Sequence, residues 1–261
     1  MNTQAIGIFD SGVGGITIWK TLTELLPYES TYYLADSKNA PYGQNSKEQI
    51  LNLCIKNTDF LIAKGCKIIV VACNTATTNA IEFLRERYAI PFIGIEPAIK
   101  PAALKTKNKS IGILATKGTL SSRLFNETSK KYLKGICVIE QVGEGLVGLI
   151  EKGKLESSEV DQLLERYLRP MLKKHIDCLV LGCTHYPFLI SKIKAITGDS
   201  IEIIDSGLAV AKQTKFILEK NKLLTPLKEK PTHHLYTNLE LETFKTFLTQ
   251  NEHTHLHKED F

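Results

Sequence analysis

Short apolar runs alternate with helix-length amphipathic segments along most of the 261 residues. Residues 5–9 (AIGIF), 31–34, 68–72 (IIVVA) and 92–95 have the length and β-branched content of strands. Residues 110–115 (SIGILA), 136–139, 178–182 (CLVLG) and 201–204 read the same way. Runs this continuously apolar suit a parallel sheet covered by helices on both faces. The segments between them, 17–26, 47–64, 78–88, 121–133, 158–174 and 208–221, carry helical patterning. Strand then helix, repeated, predicts an α/β fold.

Two sets of four strands predict two similar α/β domains with mainly parallel sheets. The junction falls in 96–109, a proline-, lysine- and alanine-rich stretch of poor periodicity. A second shift at 223–232 (LLTPLKEKPT) precedes a late strand and helix at 233–236 and 239–248. That pair is expected to return to the first domain, giving 1–97 plus 208–261 as one domain and 98–207 as the other. The halves also resemble each other. Ile6-Gly7-Ile8-Phe9 matches Ile111-Gly112-Ile113-Leu114, and Val70-Val71-Ala72-Cys73-Asn74-Thr75 matches Val180-Leu181-Gly182-Cys183-Thr184-His185 at nearly the same offset. A duplicated half would relate the domains by a pseudo-twofold axis, with a cleft between them.

Composition narrows the classes. No apolar run approaches the roughly 18 residues of a membrane span. The N-terminal Met1-Asn2-Thr3-Gln4 brings no basic segment before its apolar stretch, so a secretory signal is not expected. A net charge of +5 is too small to argue for nucleic acid, though it suits an anionic partner. None of the six cysteines forms Cys-x-x-Cys, which removes the zinc knuckle and the thioredoxin motif. A cytoplasmic chain keeps its thiols reduced.

Cys73 and Cys183 each follow a strand and precede small polar residues that could begin a helix. Ligand sites of open α/β sheets lie beyond the carboxyl ends of the strands, and a helix N-terminus favours a thiolate. Facing thiols suit proton exchange at one carbon: one base removes a proton from one face while a conjugate acid delivers another opposite. Neighbours that could assist are His185, beside Cys183, and Asp10, at the end of a strand expected next to that of Cys73. The alternative for each cysteine is that of a small core hydrophobe, and for Asp10 that of a helix cap.

Asp10-Ser11-Gly12-Val13-Gly14-Gly15 lacks the third glycine of a dinucleotide fingerprint, where Thr17 stands, and no Gly-Lys-Ser/Thr occurs. Its backbone N–H groups could receive a carboxylate as well as a phosphate. Asn74, Thr75, Thr116, Thr119 and Thr184 could bind the charged groups of a small zwitterion, or simply cap helices. Pro41-Tyr42-Gly43 reads as a turn. The His253-x-His255-x-His257 spacing would suit a metal only on a strand face, and it is expected in a polar tail, so no metal is assigned.

DSGVGG at 10–15, PYG at 41–43, ACNTA at 72–76 and GCTHYP at 182–187 together resemble the glutamate racemase family, in the family's order and spread over most of the chain. The resemblance implies cofactor-independent interconversion of L- and D-glutamate, a cytoplasmic enzyme supplying D-glutamate for peptidoglycan, and a homodimer. It implies Cys73 and Cys183 as acid/base thiols, assisted by Asp10 and His185 respectively. It implies a substrate shell of Ser11, Pro41, Tyr42, Gly43, Asn74, Thr75, Thr116, Thr119 and Thr184, with Asp36 and Glu151 behind it. Asn39 departs from the arginine that many relatives carry two residues before PYG. A racemase of aspartate or another acidic amino acid shares the two-thiol logic. A non-catalytic amino-acid-binding protein would need only the polar shell, and a thiol hydrolase would leave Cys73 without a role.

Overall fold

The computed structural model describes residues 4–248 and 252–261; residues 1–3, on which the absence of a secretory signal was argued, lie outside them. In chain order the strands are β1 (Ile6–Asp10), β2 (Thr31–Ala35), β3 (Ile68–Val71), β4 (Phe92–Gly94), β5 (Ser110–Ala115), β6 (Cys137–Val142), β7 (Cys178–Gly182), β8 (Glu202–Ile204), β9 (His233–Thr237) and β10 (Thr254–Lys258). The helices are α1 (Ile16–Leu25), α2 (Lys47–Ala63), α3 (Asn74–Arg87), α4 (Ile99–Lys105), α5 (Lys117–Leu120), α6 (Arg123–Tyr132), α7 (Leu146–Glu151), α8 (Ser158–Leu172), α9 (Ile190–Thr197), α10 (Gly207–Lys220) and α11 (Leu241–Lys245).

Two sheets result, in the orders β10-β9-β2-β1-β3-β4 and β6-β5-β7-β8. Every pairing among the described residues is parallel. The run β2-β1-β3-β4 has the same order as β6-β5-β7-β8, so the weak sequence repeat corresponds to a repeated four-strand unit. The α/β fold with parallel sheets is as the patterning predicts.

Alternation along the central strands divides the core. Ile6, Ile8, Ile68 and Val70 face α1 and join Ile16, Trp19 and Leu22, whereas Phe9, Ile69 and Val71 join Leu61 and Leu84 from α2 and α3. Each of the fully buried aliphatic side chains among them contributes roughly 1.5–3 kcal/mol. The first cluster continues through Val13 into Leu114, Leu146, Leu164 and Leu181 of the second half, so one apolar body underlies both sheets. Lys67 and Glu29 form a buried ion pair at the opposite, amino-terminal edge of the first sheet, 2.6 Å apart.

Several elements differ from the sequence expectation. The 96–109 stretch holds α4, whose Pro101 falls in the first turn, where a missing N–H costs nothing. The helix after Cys73 begins at Asn74 rather than Thr78, because the Cys73 side chain caps it by accepting the Ala76 N–H. His255 and His257 are not in a tail but on β10, an edge strand paired with β9, stacked on His234. Their alternation carries too little apolar character for a half-buried strand to be read from it. Among the described residues, no group of three His, Cys, Asp or Glu side chains is arranged to hold a metal.

Candidate active site

A sheet ordered 2-1-3-4 has its crevice where the winding reverses, between the carboxyl ends of its first and third strands. In the first half those ends carry Asp10, which closes β1, and Cys73, just past β3. In the second they carry Thr116, just past β5, and Cys183, just past β7. The two crevices open onto one cavity, lined by both Cys73 and Cys183. Ser11, Pro41, Tyr42, Gly43, Asn74 and Thr75 line it from the first half. Thr116, Thr184 and His185 line it from the second, with Val147 of α7, an apolar wall that no motif signalled.

The two sulfurs have different surroundings. Cys73, at the N-cap of α3, accepts the Ala76 N–H at 3.4 Å and donates to Ser11 Oγ at 3.5 Å. Ser11 Oγ in turn donates to Asp10 Oδ1 at 3.2 Å, so Asp10 reaches the thiol through Ser11 rather than directly. Burial, reinforced by the Asp10 charge, pushes the Cys73 thiol far above its ordinary range. Both effects disfavour a thiolate at Cys73. The Asp10 carboxyl is itself raised by burial, against the pull of His185 and the Thr184 hydroxyl.

Cys183 is followed not by a helix but by a turn and a short 3-10 segment, Tyr186–Leu189, with Pro187 near its start; α9 begins later. The expectation of a helix N-terminus at this cysteine is thus corrected. What stands beside the sulfur is His185, Nδ1 at 3.7 Å, whose Nε2 meets Glu151 Oε1 at 2.5 Å. Burial opposes a charge on the ring, but hydrogen bonds to Cys183 and Glu151 outweigh it and hold the imidazole pKa well above its ordinary 6.5. Both ring nitrogens face polar partners, Cys183 Sγ and Glu151 Oε1, an arrangement that favours the protonated ring.

The glycine-rich loop serves this arrangement. Val13 N–H donates to Glu151 Oε1 at 2.8 Å, so the anion in its backbone cradle is the chain's own carboxylate. A Cβ on Gly12 would land on that carboxylate. Thr184 Oγ1 donates to Asp10 Oδ2 at 2.8 Å, tying the two halves together beneath the cavity.

Thr75 and Thr116 hydroxyls meet at 2.9 Å across the cleft, and Thr119 lies behind, 3.0 Å from Thr116. Asp10, Thr119, Asp36 and Glu151 thus support the lining without contributing to it. The inner cavity measures about 10 Å3, room for about one water. Outside the threonine pair lies a vestibule of about 830 Å3 whose walls include Lys47 and Lys117. Among the described residues no lysine or arginine lines the inner cavity; the donors it offers are hydroxyls, backbone N–H groups and the His185 ring. Asn74 Oδ1 is buried with no hydrogen-bond partner among the described residues, an acceptor left open for a donor.

This geometry agrees with comparisons to known proteins. The profile of the Asp/Glu/hydantoin racemase family matches residues 18–214. A glutamate racemase of Herpetosiphon aurantiacus is 45% identical over 226 residues, 87% of this chain and 89% of its own. The crystal structure of a Bacillus anthracis glutamate racemase superposes with a TM-score of 0.87 at 31% identity, covering 100% of this chain and 98% of that one. A glutamate racemase from Francisella tularensis, crystallised with D-glutamate, gives 0.84 at 31% identity over 100% of this chain and 98% of its own.

Proposed function

From the premise that the chain belongs to the Asp/Glu/hydantoin racemase family and is an amino-acid racemase of the glutamate racemase type, we propose that it interconverts L- and D-glutamate by proton transfer between two thiols. The observation that carries this reading is the presence of Cys73 and Cys183 on one small cavity at matching positions of a repeated unit. One thiolate takes the α-proton from one face of the substrate. The opposite thiol gives its own proton to the other face, so the proton count of the enzyme is unchanged and the configuration is inverted.

The surroundings suggest which thiol begins in which state. Cys73 is the acid, kept as S–H by burial. Cys183 is the base, with the His185 ring 3.7 Å from its sulfur to assist it. Reaction of the opposite enantiomer begins from the converse state, which the Ser11–Asp10 pair serves. The substrate carboxylates are bound at the N-terminus of α3 and by the Thr75 and Thr116 hydroxyls, and the ammonium meets Asn74 Oδ1. Lys47 and Lys117 in the vestibule draw in the substrate, whose two carboxylates and one ammonium leave it net negative. The inner cavity is too small for glutamate, so the cleft widens to admit it and closes to exclude water from the carbanion. By the family resemblance, the product supplies peptidoglycan synthesis. Six free thiols suit a reducing compartment such as the cytoplasm, and no helix among the described residues is long and apolar enough to cross a membrane.

The test is optical rotation of L-glutamate with purified, pyridoxal-phosphate-free protein. Decay to zero, with deuterium from solvent entering the α-position, is expected; decay with L-aspartate alone would transfer the reading to that substrate. Binding without exchange would replace it with a carrier.

Glu151 gives a pH prediction. His185 loses its proton only well above its ordinary value, so kcat/KM is sustained through neutral pH and falls on the alkaline side. The raised folded-state pKa also means that its contribution to stability is complete below about 6.5 and lost as pH rises through the raised value. Glu151→Gln removes an anion that favours the imidazolium. Its alkaline limb should move to lower pH, as read from the pH profile of kcat/KM.

A further inference from the structure

The first sheet carries two strands, β9 and β10, that have no counterpart in the second. Pairing of β9 with β2 sets Thr237 against Ala35, which brings the next residues, Asn238 and Asp36, side by side at the carboxyl ends of the strands. Asp36 and Asn238 are both buried, and neither lines the inner cavity.

A directed set of hydrogen bonds converges there. Asn238 Nδ2 donates to Asp36 Oδ1 at 2.6 Å and Asn39 Nδ2 donates to the same oxygen at 2.7 Å. Tyr42 OH donates to Asp36 Oδ2 at 2.5 Å. Asn57 Nδ2, from α2, donates to the Tyr42 oxygen at 3.0 Å, so the single phenolic proton has one place to go, the carboxylate. Asn238 also accepts the Lys38 N–H at 2.8 Å, fixing the backbone that leads into the loop. Tyr42 is the middle residue of the 41–43 loop that forms one wall of the cavity, and a Cβ on Gly43 of that loop would stand 3.5 Å from Thr116 of the other half.

We infer that Asn238 is a positioning residue: acting through Asp36 and Tyr42, it sets the 41–43 loop at the distance from the second half that the substrate requires. This rests on the reading of that loop as part of the glutamate site. The strand that delivers Asn238 is thereby part of the catalytic apparatus without touching the reacting atoms. Loss of one buried hydrogen bond to a charged group is worth about a tenfold effect or somewhat more.

The experiment is steady-state racemisation of glutamate by the full chain and its Asn238→Ala variant, with thermal melts of both. Expected is a rise in KM of about tenfold with kcat within about threefold of wild type. Tyr42→Phe should raise KM as well, and the double variant should fall well short of the product of the two effects, because both act through Asp36. A purely structural Asn238 would lower the melting temperature and leave the KM of the folded enzyme unchanged, and a KM within twofold of wild type overturns the proposal. Should Asn238→Ala fail to fold, Asn57→Ala removes the donor at the other end of the same chain of bonds and is held to the same KM criterion. A wild-type protein that does not turn over glutamate instead sinks the functional reading, a separate outcome visible before any variant is made.

Discussion

Cys73→Ser and Cys183→Ser should each lower racemisation on the order of 100- to 10,000-fold, the range supplied by a positioned acid or base. Serine is slightly smaller but keeps a hydrogen-bonding group at either site, and it holds its proton too tightly to act as a base at neutral pH. The losses should differ in kind. With Cys73 replaced, Cys183 and His185 remain, and the enantiomer whose α-hydrogen faces Cys183 can still be deprotonated and reprotonated from the same side. That enantiomer should exchange its α-hydrogen with deuterated solvent without inverting. With Cys183 replaced, the opposite enantiomer should do so at Cys73. NMR of recovered glutamate reads both experiments. Full racemisation by either variant, or exchange of the same enantiomer in both, would contradict two-sided chemistry.

A second large effect is expected from a single methyl group. A Cβ on Gly14 would lie 2.5 Å from His185 Nδ1 and 2.6 Å from Thr184 Oγ1. Both groups belong to bonds already described: His185 to Cys183 and Glu151, Thr184 to Asp10. Gly14→Ala therefore turns the imidazole away from its sulfur and loosens the tie between the halves. Displacements of about 1 Å at a reacting group cost about 100-fold in rate, and kcat/KM should fall by that order. Overpacking should cost about 1–3 kcal/mol in a urea melt, leaving a folded but nearly inactive protein. Gly148→Ala, whose Cβ would meet nothing within 4 Å on a helix, is the matched comparison and should retain activity.

Much of the scaffold was legible because its strands are apolar on both faces and its helices long enough to show their period. Ser110–Ala115 and Cys178–Gly182 are strands at the bounds their composition suggests. The same local signals miss elements whose reasons are tertiary. His255 and His257 become strand only because β9 offers an edge, and Asn74 becomes helical at once because a cysteine sulfur replaces a hydroxyl as its cap. The candidate site divides along the same line. Cys73, Cys183 and the polar residues next to them stand at strand ends, where sequence position alone points to a crevice. Glu151 was visible only through family resemblance, and its bonds to His185 and Val13 join residues distant in the chain. Val147 and Asn238 carry no chemical signature; an aliphatic residue in a helix and an amide after a strand acquire meaning from what folding sets beside them.

The unequal dressing of the sulfurs, Ser11 and Asp10 on one side and His185 and Glu151 on the other, has a thermodynamic corollary. Mirror-image amino acids have identical free energies in water, so the overall equilibrium constant is one whatever the catalyst. The Haldane relation then forces kcat/KM to be equal in the forward and reverse directions. An asymmetric pair of half-sites can still divide that shared quotient differently, binding one antipode more tightly and releasing it more slowly. The lopsided pocket therefore shows itself in the separate constants for each hand, while their ratio stays blind to it.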